Sequence, residues 1–194
     1  IFFASAVLIF VLYIIISAPN FDKDLLYKKE ATVLYDKNGV EFARVGQENR
    51  QLIEYKDLPQ VYVDALIATE DSRFFQHNGL DIARFIKASF GQLLGQNAGG
   101  ASTITMQLVK KTYTNGASKG IAGIVRKFTD IYMAVFKIES SYTKEEILEF
   151  YSNSLWYANG RSINTTGIYG IEQASQHFFG KSVRELNLAE ASLI

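Results

Sequence analysis

The sequence contains no cysteine, which excludes disulfides and thiolate nucleophiles. It has only 2 histidines, so a structural zinc site is disfavoured. Proline is scarce, at 2 residues, and neither a low-complexity run nor a repeat of solenoid period is present. Net charge is lacking too, since 20 Lys+Arg balance 20 Asp+Glu over 194 residues. No global field therefore draws the chain to nucleic acid, and any anionic ligand must be held by locally placed cations.

Charge is missing altogether from residues 1–18, an apolar run from Ile1 to Ala18. A helix needs about 20 apolar residues to span a bilayer core, so this run is read as an N-terminal transmembrane helix. The alternative, a signal-peptide core, is usually shorter, about 7–15 residues. The chain does not begin with methionine, and a longer span is expected upstream. Residues 19–30 read as a charged linker and 31–194 as a folded domain, expected to be incomplete at its C-terminal end, where a helix from Leu186 is cut off mid-pattern.

The folded part reads as predominantly α-helical α+β. Ala31–Tyr35 and Val40–Val45 have strand character, and the Asp36-Lys37-Asn38-Gly39 stretch between them predicts a hairpin turn, with Asn-Gly supplying positive φ. Gln51–Ile53 is a possible third strand. Asp57 and Pro59 open a helix that runs to Glu70. Asp81 caps the next, whose expected inner stripe is Ile82, Phe85, Ile86, Ser89, Phe90 and Leu93. Gln96–Gly100 and Tyr113–Gly123 read as loops. A long helix is expected from Ile124 to about Glu139, with Ile124, Phe128, Ile131, Val135 and Ile138 inward. Thr143-Lys144-Glu145-Glu146 has the form of a capping box. Gly180 stops a short helix from Ile171 to Phe179.

Two stretches carry chemistry. Glu70-Asp71 stands at the end of an apolar helix, and Val63, Leu66 and Ile67 share a face with Glu70. A carboxylate held against such neighbours loses hydration, which suits a general base. Asp71 falls on another face, toward Ile67 and Asp64. An acidic pair that merely ends a helix is the blander alternative. The second stretch runs from Gly99 to Lys111. Its glycine pair lets the backbone approach a ligand, and Ser102 and Thr103 stand at a helix start, where free N–H groups attract anions. Gln107 and Lys110 follow one turn apart. An N-capped helix with surface lysines would show the same pattern. Arg126, Lys127 and Asp130 share a further helix, either as a simple i,i+4 ion pair or as a second carboxylate with cations beside it.

Together these stretches resemble the peptidoglycan glycosyltransferases of the lysozyme-like fold, found in class A penicillin-binding proteins and as monofunctional enzymes. Glu70-Asp71-Ser72-Arg73-Phe74-Phe75-Gln76-His77-Asn78-Gly79 is similar to the family's first motif, and Gly100 to Leu108 to its second. Arg126 to Asp130 resembles the third and Lys144 to Asn153 the fourth, all in order. The resemblance implies lipid II as substrate, polymerised onto a growing glycan strand with inversion at the anomeric carbon. It implies Glu70 as general base and Asp130 as a second catalytic carboxylate. Ser102, Thr103, Gln107, Lys110, Lys119, Arg126 and Lys127 would bind substrate. A divalent cation such as Mg2+ is implied as a helper, with no protein metal site of its own. A bacterial cytoplasmic membrane location is also implied, single-pass, with the catalytic domain on the outer face and the β region near the membrane. A transpeptidase domain or partner is an optional companion.

Three positions depart from the family pattern. Asp130 replaces Glu, Met106 replaces a second Gln, and Lys119 is the one candidate for a basic residue ahead of Arg126. Lysine cannot fork to phosphate as arginine does. A lysozyme-like glycan hydrolase and an inactive membrane-anchored scaffold of the same fold are the alternatives, because one fold hosts several functions.

Overall fold

The computed structural model describes residues 2–26, 32–45, 49–94, 100–114, 119–159 and 167–194. The architecture is predominantly helical with two small sheets. The chain divides into two compact units, one taking residues 1–23 and 70–147, the other 24–69 and 148–194.

The first unit opens with α1 (Phe2–Ser17). Its 16 residues rise about 24 Å at about 1.5 Å each, less than a bilayer core of about 30 Å. Among the described residues no helix is long and apolar enough to cross a membrane. Ile14 of α1 is buried, and Phe10 meets Phe128 edge-on with ring centroids 5.3 Å apart. The unit continues with α3 (Ile82–Leu93), α4 (Ile104–Val109) and α5 (Gly120–Met133). Helix α4 is enclosed almost all round: Ile104, Met106, Leu108 and Val109 are buried, together with Phe74, Met133 and Ile138. Met106 therefore fills core space where a second glutamine side chain would have to be buried with its amide satisfied.

Helix α5 begins at Gly120, earlier than the sequence suggests, and runs into a π-helical turn, Ala134–Ile138. Of the loop expected over Tyr113–Gly123, residues 113–114 are π-helical and 120–123 α-helical, while 115–118 lie outside the described residues, as does most of Gln96–Gly100. The expected inner stripes need a larger correction. Ile82, Ile86 and Phe90 of α3 are 65%, 49% and 62% exposed, and Ile124 of α5 is 56% exposed. Periodicity identifies an apolar face but not what covers it; of the expected stripe only Ile138, in the π-helical turn, is buried in the core, while Ile131 and Val135 are half-buried.

The second unit holds both sheets. Strands β1 (Thr32–Tyr35) and β2 (Glu41–Val45) form the expected antiparallel hairpin. In its turn only Gly39 has positive φ, +77°. Asp36 Oδ1 accepts from the N–H groups of Asn38 and Val40, and the register shifts at Leu34/Tyr35. That is a bulged turn rather than a two-residue Asn-Gly turn. Strand β3 (Asn49–Arg50) does not extend the hairpin. It pairs in parallel with β5 (Ile168–Tyr169), which pairs antiparallel with β4 (Trp156–Ala158). The expected strand at Gln51–Ile53 is displaced to these two residues.

Helix α2 (Gln60–Glu70) starts after Pro59. Asp57 is not its cap but pairs with Arg184 at 2.7 Å. In α6 (Lys144–Ser154) the capping box forms as read: Thr143 N–H donates to Glu146 Oε2 at 2.7 Å and Glu146 N–H to Thr143 Oγ1 at 3.2 Å. Helix α7 (Ile171–Phe179) ends at Gly180 with φ +69°, and α8 (Leu188–Leu193) is capped by Asn187 and Glu190.

Candidate active site

The site is assembled inside the first unit. Glu70, the last residue of α2, is half-buried. Its Oε2 accepts a hydrogen bond from Gln107 Nε2 at 2.7 Å, and its carbonyl accepts from Arg84 Nη1 at 3.2 Å. The carboxylate thus faces an amide donor. Gln107 is the half-buried residue of an otherwise buried α4, so the packed core fixes where its amide points.

Asp71 is fully buried, and it does not turn toward Asp64. Both of its oxygens lie 3.1 Å from His77 Nε2, and Oδ2 accepts the Ile104 N–H at 3.1 Å. Thr103 caps the same helix, accepting from Met106 N–H at 3.1 Å and donating to the Gly79 carbonyl at 2.7 Å. The start of α4, read above as an anion site, is therefore filled by the protein's own carboxylate and cap. Gly79 makes this possible. Its φ is +83°, and a Cβ there would lie 3.0 Å from the Ala134 carbonyl carbon.

A second buried network locks the same segment from below. Lys144 Nζ donates to the His77 carbonyl at 2.7 Å and to Glu139 Oε1 at 2.8 Å, and it sits 4.3 Å from the Phe74 ring centre. Thr105 Oγ1 donates to that same Glu139 oxygen at 2.5 Å. Thr105, His77 and Phe74 are thereby tied to the start of α6.

The cationic side of the site follows directly from α4. A π-helical turn, Lys110–Thr114, continues the helix; such turns shift the side-chain register and are frequent at functional sites. Thr114 Oγ1 donates to Asp130 Oδ1, and Arg126 Nη1 donates to Asp130 Oδ2 at 2.5 Å. Asp130 is buried. Burial raises its pKa above the usual carboxylate range, although Thr114, Arg126, Lys127 and Lys110 all pull the other way. Lys127 donates to Ser102 Oγ at 2.7 Å. Its own pKa is lowered by desolvation, which the attraction of Asp130 only partly offsets.

Lys110 is exposed, and its charge is felt by both Asp130 and Lys127. It has no ion-pair partner among the described residues. Lys119 is exposed at the N-cap of α5 and makes no side-chain capping bond; among the described residues no ion pair or hydrogen bond joins it to the Lys110–Asp130 group. Of the predicted residues, Glu70 and Gln107 meet, Ser102 meets Lys127, and Arg126 meets Asp130, while Thr103 is spent on capping.

The sequence reading missed two residues. Thr114 binds Asp130 through a register shift that ordinary helical spacing does not reveal. Lys111 stands four residues after Gln107, a spacing that points to the same face. Burial lowers its pKa, Lys110 adds to that, and the negative charge of Glu70 opposes it.

No ready-made cation site is formed: among the described residues no three His, Asp or Glu side chains cluster as metal ligands. Both oxygens of Asp130 already accept hydrogen bonds from the protein.

A transglycosylase family model matches residues 38–194. The chain belongs to this transglycosylase family. It is 33% identical over 184 residues to penicillin-binding protein 1A of Streptococcus oralis, covering 94% of this chain and 28% of that protein. Penicillin-binding protein 1A of Clostridium tetani (strain Massachusetts / E88) is 37% identical over 185 residues, 92% of this chain and 22% of that protein. Penicillin-binding protein 1A/1B of Bacillus subtilis (strain 168) is 36% identical over 166 residues, 84% and 17% respectively. This transglycosylase chain thus spans less than a third of the length of these relatives.

Proposed function

We propose that this chain is the glycosyl-transferring part of a peptidoglycan polymerase, acting on lipid II and a growing glycan strand. One observation carries the reading: Gln107, fixed in a buried helix, holds Glu70, and the same helix leads into Lys110 and the Lys127–Asp130 group. A base and an anion-holding cluster are thus parts of one rigid assembly.

In the proposed reaction the Glu70 carboxylate takes the proton of an acceptor sugar hydroxyl as that oxygen attacks the anomeric carbon of the donor. The bond from this carbon to the lipid diphosphate breaks, and the electron pair leaves on the diphosphate oxygen. Attack from the opposite face inverts the configuration. Lys110, Lys127 and Arg126 stabilise the charge developing on the leaving group. Asp130 holds Arg126 and keeps the cluster from collecting net repulsion. Any divalent cation would arrive with the diphosphate it neutralises.

A lipid-linked substrate calls for a membrane. Support comes from the uncharged residues of α1 and from the exposed apolar side chains of α3 and α5, which water does not favour. We place α1 as a single-pass anchor in the bacterial cytoplasmic membrane, with the catalytic part on the outer face. A transpeptidase domain or partner acting on the same strand completes the proposal.

The test is incubation of the purified chain with labelled lipid II in detergent. Elongated glycan is the expected product. Digestion of glycan with no polymer from lipid II would favour a hydrolase, and tight binding without turnover an inactive scaffold.

A further inference from the structure

Residues 1–23 belong to the same compact unit as the cation group, and they touch its supports at two places. Phe10 of α1 meets Phe128 edge-on at 5.3 Å, one residue after Lys127. Helix α1 then closes with the Ala18 N–H donating to the Ile14 carbonyl at 3.0 Å. Pro19 follows, and a residue without an N–H cannot carry the ladder on. Beyond it the chain lies against the π-helical turn Lys110–Thr114. The ring centres of Phe21 and Tyr113 are 6.0 Å apart, with the rings tilted by 40°. The Tyr113 hydroxyl donates to the Asp22 carbonyl at 2.7 Å. Lys23 Nζ lies 5.9 Å from the centre of the Tyr142 ring.

The turn gripped in this way is the one that serves Asp130. Thr114, next to Tyr113, donates through Oγ1 to Asp130 Oδ1, and the other oxygen of Asp130 holds Arg126. A π-turn contains one residue more per hydrogen bond than an α-turn and occurs as a single turn, so its register depends on what surrounds it. Relaxation to α geometry would rotate the residues at its end by about 100°, one residue at 3.6 per turn. Thr114 would then leave Asp130.

Tyr113 suits the task of preventing this. Burial raises its pKa, with Tyr142 and Asp22 adding to the rise, so the phenol remains a proton donor at neutral pH. The bond to Asp22 is exposed, and one hydrogen bond adds little net stability to a fold. Its effect lies in where the turn points.

We propose that Tyr113 is a positioning residue for the leaving-group side of the site. By donating to the Asp22 carbonyl and packing on Phe21, it holds the π-helical turn in the register that keeps Thr114 on Asp130. The segment after α1 is then a working support of the cation group as well as a connection. The inference rests on the proposed polymerisation, because the group it positions is the one assigned there to the departing diphosphate.

Two variants of the full chain in detergent test it. Tyr113→Phe keeps the ring and removes the donor; Tyr113→Leu removes both. On labelled lipid II, Tyr113→Phe should lower kcat by about tenfold, and Tyr113→Leu by more, with KM within about twofold. The melting temperature of Tyr113→Phe should fall by no more than about 4 °C. Because Tyr113 acts through Thr114, adding Tyr113→Phe to Thr114→Val should cost no more than about a further twofold. A second readout needs no turnover. In protein labelled at threonine methyl groups with 13C, Asp130→Asn should shift the Thr114 methyl resonance, identified by its loss in Thr114→Val. In the Tyr113→Leu background that shift should disappear. A kcat within about twofold of wild type in both variants, losses that multiply in the double variant, or a Thr114 methyl that still follows Asp130→Asn overturns the proposal. If the wild type makes no polymer, the polymerase reading fails by itself, and the methyl shift alone decides whether Tyr113 sets the turn.

Discussion

Gln107 and Glu70 are joined by a 2.7 Å hydrogen bond across 37 positions of sequence. The donor belongs to a helix with five buried residues, so the bond is set by core packing. Charged hydrogen bonds of this kind contribute about 1.5–3 kcal/mol. Gln107→Leu should therefore lower kcat by roughly ten- to a hundredfold, with folding retained, since Gln107 is itself half-buried. Steady-state polymerisation together with a thermal melt checks both halves.

Asp130 supports a prediction of opposite sign for stability and activity. Burial raises its folded pKa above the usual carboxylate range. A raised carboxyl contributes stability fully present below the unfolded pKa and lost as pH rises through the folded one. At neutral pH the ionised side chain is therefore a net cost. Asp130→Asn, whose amide oxygen can still accept from Arg126 and whose amide N–H can donate to Thr114 Oγ1, should leave the protein no less stable at neutral pH. Its stability should decline less than that of the wild type as pH rises from about 4. Polymerisation should fall in the same variant, because a carboxylate kept at a stability cost serves function. Unfolding measured across pH, paired with activity, tests this.

Lys110 and Lys119 were both candidate substrate-binding residues in the sequence, and their surroundings differ. The charge of Lys110 is felt by Asp130 and Lys127, while among the described residues Lys119 makes no ion pair or hydrogen bond with them. Lys110→Met should cost more than about tenfold in kcat/KM by removing charge stabilisation of the leaving group. Lys119→Met should stay within about twofold. Equal losses would contradict the assignment.

Gly79 is held at φ +83° against the Ala134 backbone. Gly79→Ala adds a Cβ where space is short and strains the backbone, a cost on the order of 1–3 kcal/mol. A lowered melting temperature is expected. Because the Gly79 carbonyl anchors Thr103, activity should drop as well.

Local signals carried much of the fold into the sequence. The Asp81 cap, the Thr143–Glu146 box and the Gly180 stop need only neighbouring residues, and each formed where its residues stand. Glu70, Gln107, Lys110 and Asp130 were visible from residue type and spacing. Illegible were relations closed only in three dimensions. Asp71 fills the start of α4 from 33 positions away, so a helix that looked open to phosphate is occupied. Strands β3 and β5 have two residues each, too few for any period, and pair across a long separation. The α3 face was correctly apolar yet lies exposed, because a pattern cannot name its partner.

In the proposed reaction Glu70 removes the acceptor proton. The most direct test compares wild type and Glu70→Gln on labelled lipid II at saturating substrate. The amide keeps the shape and can still meet Gln107, but cannot take a proton. Loss of polymer with lipid II binding retained is the predicted result; polymerisation at the wild-type rate would contradict it.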